Sequence, residues 1–243
     1  MGTGEGMDEL LQPQIVSMEV DDENSCESGY RLQIGNQIKY LVNPGTYDRD
    51  TLSFPLADLP SLQYDANWTH PTTIDYFDLE KTEQLTAAAY EAVPSPALAS
   101  ILGTSHIIAK IARFEWEIPR LEQETRIYRL LSGSGLTPRF LGHIREGDRV
   151  IGFVLEKVAG RAAGVEDLEA CRGVLGRLHG MGVVHGDVNR FNFLVGEGGA
   201  VRIIDFERAE EGAGEERRRG EIEGLGGELG GGEGRGGGVY VLW

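Results

Sequence analysis

Two short runs carry the residues best suited to chemistry: His185-Gly186-Asp187-Val188-Asn189-Arg190-Phe191-Asn192 and Ile203-Ile204-Asp205-Phe206-Glu207. Asn192 lies five residues after Asp187, and Asp205 lies eighteen after it. Carboxylates and amides are hard oxygen donors, and magnesium usually takes one or two such carboxylates from a protein. Phosphoryl transfer asks for little covalent help. It needs a hydroxyl held in line with the γ-phosphate, and cations over the phosphate oxygens. Asp187 can orient that hydroxyl and accept its proton, while Asn192 and Asp205 can hold the magnesium. The residues between explain how these groups would meet. Phe193-Leu194-Val195 and Val201-Arg202-Ile203-Ile204 are strand-like runs around Gly196-Glu197-Gly198-Gly199, a hairpin signal. A hairpin returns its two ends to one place, so Asn192 and Asp205 are expected side by side.

The pattern H-G-D-x-x-x-x-N followed by Asp-Phe resembles the catalytic loop and metal-binding segment of the protein-kinase-like phosphotransferases, H-R-D-x-x-x-x-N and D-F-G. Upstream, His106-Ile107-Ile108-Ala109-Lys110-Ile111-Ala112 resembles the V-A-I-K strand. The resemblance implies that Lys110 pairs with the α- and β-phosphates and with a helix glutamate. As a point charge for phosphate, Lys110 is expected to stand apart from the core. Ile118-Pro119 opens the next helix, and Leu121, Tyr128 and Leu131 line one face of it before Gly133 ends it. Glu124 falls inside that apolar stripe and Glu122 outside, and a carboxylate on a buried face wants a cation. Lys110 is the expected partner. Arg149 to Val158 reads as a strand leading into a segment that resembles the hinge between the kinase lobes. The Glu156 carbonyl and the Val158 amide are then the implied adenine contacts. Leu168, Cys171, Leu175 and Leu178 mark a further helix, with Cys171 as a core residue.

The similarity is strongest to a family of largely uncharacterised fungal kinase-like proteins, through Ile118 to Tyr128, Gly133 to His143 and His185 to Val195. It implies an α+β, bilobal protein-kinase-like fold with a β-rich N-lobe, an N-terminal strand extension and a truncated helical C-lobe. The expected organisation is a disordered start over residues 1–12, then a β-hairpin and irregular extension over 13–73. A kinase N-lobe over 74–155 and a minimal C-lobe over 156–207 follow, and a mobile Gly/Glu/Arg-rich tail fills 208–243. In the extension, Gln14 to Val20 and Tyr30 to Val42 read as strands, the latter turning at Gly35-Asn36. Phe54, Leu56, Leu59, Leu62 and Trp68 are expected anchors of an irregular stretch. The tail holds thirteen glycines between Gly212 and Gly238, and they make any helix through Ile222, Leu225 and Leu229 marginal.

Several positions depart from the family pattern. No glycine-rich loop precedes Lys110, and Leu85 to Tyr90, the best candidate, contains no glycine. Gly186 stands where regulated protein kinases have arginine, the H-G-D form of aminoglycoside and choline phosphotransferases and Rio-like kinases. Glu207 replaces the glycine of D-F-G. Only 38 residues follow Asp205, too few for a peptide-binding platform.

Composition narrows the partners. With 39 acidic against 23 basic residues and a net charge of -16, a nucleic-acid or anionic-membrane surface is excluded, since both need a basic footprint. No apolar run spans a membrane and no secretory leader is visible, so a cytoplasmic setting is expected, with a nuclear one open. Cys26 and Cys171 form neither a metal motif nor a disulfide framework. The expected function is an ATP- and magnesium-dependent phosphotransferase, acting on a protein or small-molecule hydroxyl. The alternative is a pseudokinase that binds nucleotide or serves as a scaffold. A carboxylate-pair glycosidase lacks any sign of a sugar-sized cleft. The acceptor is not legible in the sequence.

Overall fold

The computed structural model describes residues 13–19, 28–43 and 70–231. The expected disordered start, the anchors from Phe54 to Trp68, Cys26 and the end of the tail lie outside these residues. The fold is mixed α+β.

Strands β1 (Gln14–Glu19), β2 (Ser28–Ile34) and β3 (Gln37–Asn43) form an antiparallel sheet in that order. Gly35, in the left-handed region at φ 58°, makes the tight turn between β2 and β3. This sheet is fastened to the next through a buried guanidinium. Arg31, 1% exposed, reaches Tyr40 at 3.2 Å, Tyr76 at 3.3 Å and Glu146 at 3.3 Å.

The main sheet has six strands: β4 (Thr73–Asp75), β5 (Leu79–Gln84), β6 (Ala89–Pro94), β7 (Ile107–Ile111), β8 (Phe140–Glu146) and β9 (Arg149–Glu156). Their order is β4-β8-β9-β7-β6-β5, with β4 parallel to β8 and the remaining pairs antiparallel. Every residue of β7 is buried, so this central strand reads as an unbroken apolar run with one lysine in it. Helix α1 (Pro96–Leu102) joins β6 to β7, with Ser95 as its N-cap and left-handed Gly103 as its stop. Helix α2 (Ile118–Leu130) follows β7, opens on Pro119 and buries Leu121, Ile127 and Tyr128 in one cluster with Phe153 and Leu155 of β9.

The C-terminal half is built on α3 (Leu168–Gly180), whose buried face is Cys171, Leu175 and Leu178. A small sheet of β10 (Arg161–Ala162), β12 (Phe193–Val195) and β13 (Val201–Ile203) lies beside it. A second pairs β11 (Val183–Val184) with β14 (Glu210–Glu211).

The expected tail differs most. Glu215–Gly230 is a helix, α4, of 16 residues. Its own propensity is poor, because glycine costs about 1 kcal/mol per interior position relative to alanine. Packing overrides this: Leu225 and Leu229, 0% and 1% exposed, enter the same core as α3. The C-terminal unit therefore runs past 207 to at least Gly230. No helix among the described residues is long and apolar enough to cross a membrane.

Candidate functional site

The hairpin β12–β13 does what its sequence suggests. Phe193 pairs with Ile203 and Val195 with Val201, and the Ile204 amide donates to the Asn192 carbonyl at 3.0 Å. Asn192 thus enters the hairpin where Asp205 leaves it. Asp205 has φ 65°, the one non-glycine left-handed residue among those described. Such strain persists where surroundings over-determine it, and it clusters at functional sites.

Lys110 is the surrounding that matters. Its ammonium touches Glu124 at 2.6 Å, Asp205 at 2.7 Å and Glu207 at 2.8 Å. The ligand oxygens of these carboxylates lie within 4.8 Å of one another, close enough for a metal, but here the lysine sits among them. Lys110 is 5% exposed. This corrects its reading as a point charge outside the core. Burial works against the ammonium, yet Asp205, Glu124 and Glu207 outweigh it and hold the lysine well above its ordinary pKa. Burial pushes the Glu124 carboxyl up, opposed by Lys110 and reinforced by Asp205 and Glu207. Burial also works against Asp205, but Lys110 prevails and holds it below the usual carboxylate range.

Glu124 does a second job. Its Oε1 accepts the Phe206 amide at 3.3 Å, so α2 is tied to the backbone beside Asp205. Phe206 is fully buried, edge-on to Tyr128 of α2 at 5.3 Å and 5.2 Å from the His185 ring. The His185 Nδ1 accepts the Asp187 amide at 3.3 Å, and Nε2 faces the Ile204 carbonyl at 3.0 Å. Nε2 therefore carries the hydrogen. One ring holds the loop to the end of β13.

The loop itself is pinned at the Asp187 carbonyl, which accepts from Asn192 Nδ2 at 2.9 Å and Asn189 Nδ2 at 3.2 Å. Donation by Asn192 Nδ2 leaves its amide oxygen as the end that can face a cation. Val158 packs with Leu194 and Ile204, on the wall that carries Asn192 and Asp205. Glu156 ends β9 opposite Ile107, three positions along β7 from Lys110.

Gly186 has a steric reason. It lies at φ 77°, and a Cβ there would come within 2.0 Å of the Arg208 carbonyl oxygen. Arginine cannot stand at this position.

Glu221, on α4, is a site residue that no local pattern signals. It accepts from the Gly186 amide at 2.6 Å and the His185 amide at 3.1 Å, and pairs with His179 at 2.7 Å. Burial would raise its pKa, but His179 and the two amides hold it lowered. A groove of about 370 Å³ opens between α4 and the loop, lined by Gly186, Asp187, Asn189, Arg208, Glu221 and Glu228 among others.

The turn between β5 and β6 lies next to Lys110, since Ala89 pairs with Lys110 across β6–β7. Three of its amides are committed within the turn. Leu85 and Thr86 donate to the Ala89 carbonyl at 3.0 Å, and Ala89 donates to Thr86 Oγ1 at 3.1 Å.

No family model matches the chain, and no curated protein shows significant similarity to it. The functional reading rests on the geometry of these residues.

Proposed function

We propose that the chain is an ATP- and magnesium-dependent phosphotransferase with a protein-kinase-like, two-lobed fold. One observation carries the reading: a buried strand lysine bonded at once to a helix carboxylate, Glu124, and to the carboxylate after the catalytic hairpin, Asp205. The strained backbone at Asp205 adds to this, since such strain clusters at functional sites. The order of the main sheet, with α2 between its central strand and β8, supports the same reading.

In this reading Lys110 binds α- and β-phosphate oxygens, and Glu124 aims it. The Glu156 carbonyl and Val158 amide receive the adenine. Asp205 and the free oxygen of Asn192 form a hard-oxygen pair that suits magnesium. Bound magnesium supplies neutralisation of the phosphate oxygens. Asp187, facing the groove, orients the acceptor hydroxyl and takes its proton as the new O–P bond forms and the β–γ bridging bond breaks, releasing ADP.

A second reading, a nucleotide-binding module without turnover, is favoured by the β5–β6 turn. The amides of Leu85, Thr86 and Ala89 are used internally instead of being offered to phosphate. Calorimetric titration of ATP with magnesium and with EDTA, coupled to a screen for γ-phosphate transfer, separates the two. Magnesium-dependent binding with transfer is expected. Asp187→Asn should then keep binding and lose about 10²–10⁴-fold in rate, the usual worth of a general base. Binding without transfer selects the module, and no binding in either buffer overturns both.

A further inference from the structure

We propose that Glu207 is a specificity-determining residue, one that closes the carboxylate ring around the Lys110 ammonium and makes the site favour a nucleotide carried as its metal complex. The inference rests on the nucleotide reading above. An ammonium has three N–H donors. Carboxylate oxygens of Glu124, Asp205 and Glu207 stand 2.6, 2.7 and 2.8 Å from that of Lys110, and it donates a hydrogen bond to Asp205. A phosphate oxygen can reach Lys110 only by displacing one of the three.

The structure ranks them. The Glu124 side chain is 1% exposed and also accepts the Phe206 amide, so releasing it would strand a buried carboxylate. Asp205 has a short side chain on a backbone fixed at φ 65°. The Glu207 side chain is 26% exposed against 34% for Asp205, but its longer stem lets the carboxylate leave without moving the backbone, and Lys110 is its one ion-pair partner among the described residues. It can swing into water at least cost.

Charge sets the consequence. Three carboxylates on one ammonium leave the mouth of the site negative, and a free polyphosphate is repelled by that surplus. A metal complex brings less negative charge and offers Asp205 a cation. Glu207 thus discriminates between the two forms without touching either adenine or acceptor.

The test measures ATP affinity by calorimetry in EDTA and in magnesium, for wild type, Glu207→Gln and Glu207→Ala, with thermal melting as the check of fold. Both variants are expected to bind metal-free ATP on the order of tenfold more tightly than wild type, the factor matching about 1.4 kcal/mol. Their gain in magnesium should be under about threefold, because less repulsion remains to be relieved. The ratio of the two affinities, which a merely structural role would not move, therefore shrinks. Wild-type binding with an unchanged ratio in either variant overturns the role of Glu207 and leaves the nucleotide reading standing. Absence of ATP binding in all three proteins under both conditions overturns that reading and this one together.

Discussion

Lys110 shows how far a single residue can depart from its pattern-level reading. Its position on β7 and its pairing with Glu124 are both legible from spacing and helical phase. Its burial is not, because nothing local says that Asp205 and Glu207 arrive from 95 and more residues away to neutralise it. The consequence is energetic. Lys110→Ala leaves the buried Glu124 carboxylate without its cation, and breaking such a pair costs about 3–5 kcal/mol. Urea unfolding should show a loss of that size. Lys110→Met combined with Glu124→Leu should recover only part of it, because Asp205 still loses its cation and the Phe206 amide its acceptor. A single variant as stable as wild type would mean that the three carboxylates are held by something other than this ammonium. Gly186 teaches the converse. Read as a missing arginine, it is a position where the Arg208 carbonyl forbids any side chain.

Among the elements, hairpin β12–β13, helix α2 and strand β7 were readable because each has a strong local period and clear stop signals. Helix α4 was not. Glycine at 220, 224, 226 and 227 speaks against a helix, and only Leu225 and Leu229 speak for it. What decides is the core of α3, a tertiary fact. That element now carries a prediction. Glu221→Gln should weaken the hold on the His185 and Gly186 amides and cost about 1–3 kcal/mol, the usual range for a lost charge-assisted contact. The sign with pH follows from its lowered pKa. The contribution is complete above the ordinary glutamate range near 4.5 and vanishes as pH falls through the folded value below it. Melting curves of wild type and variant should therefore differ at pH 7 and converge as pH falls below the ordinary glutamate range. A gap that persists in acid would mean that the charge of Glu221 is not what the loop uses.

At the scale of the whole molecule, two polar fastenings reinforce joints between pieces: Arg31 for the N-terminal sheet and Glu221 for α4, whose leucines also enter the α3 core. Stability in mild acid has another source. Burial, aided by nearby His70 and opposed by a Gly152 backbone contact, lowers His143 to about 4 from its ordinary 6.5. An unfolded chain takes that proton near pH ~6.5, whereas the folded one refuses it until much lower. Folding free energy should thus fall by about 2 kcal/mol between those limits, and His143→Gln should flatten the slope there. An equal slope in the variant would place the titration elsewhere. The Glu221 fastening has a further consequence in the order of synthesis. Gly186 leaves the ribosome 35 residues before its partner. At about 5–20 residues per second that is a wait of some seconds. Throughout it, the His185 and Gly186 amides have only water to bond. The loop that bears Asp187 is therefore set only after α4 has been made, and a chain that stops short of Glu221 has no fixed geometry at that loop.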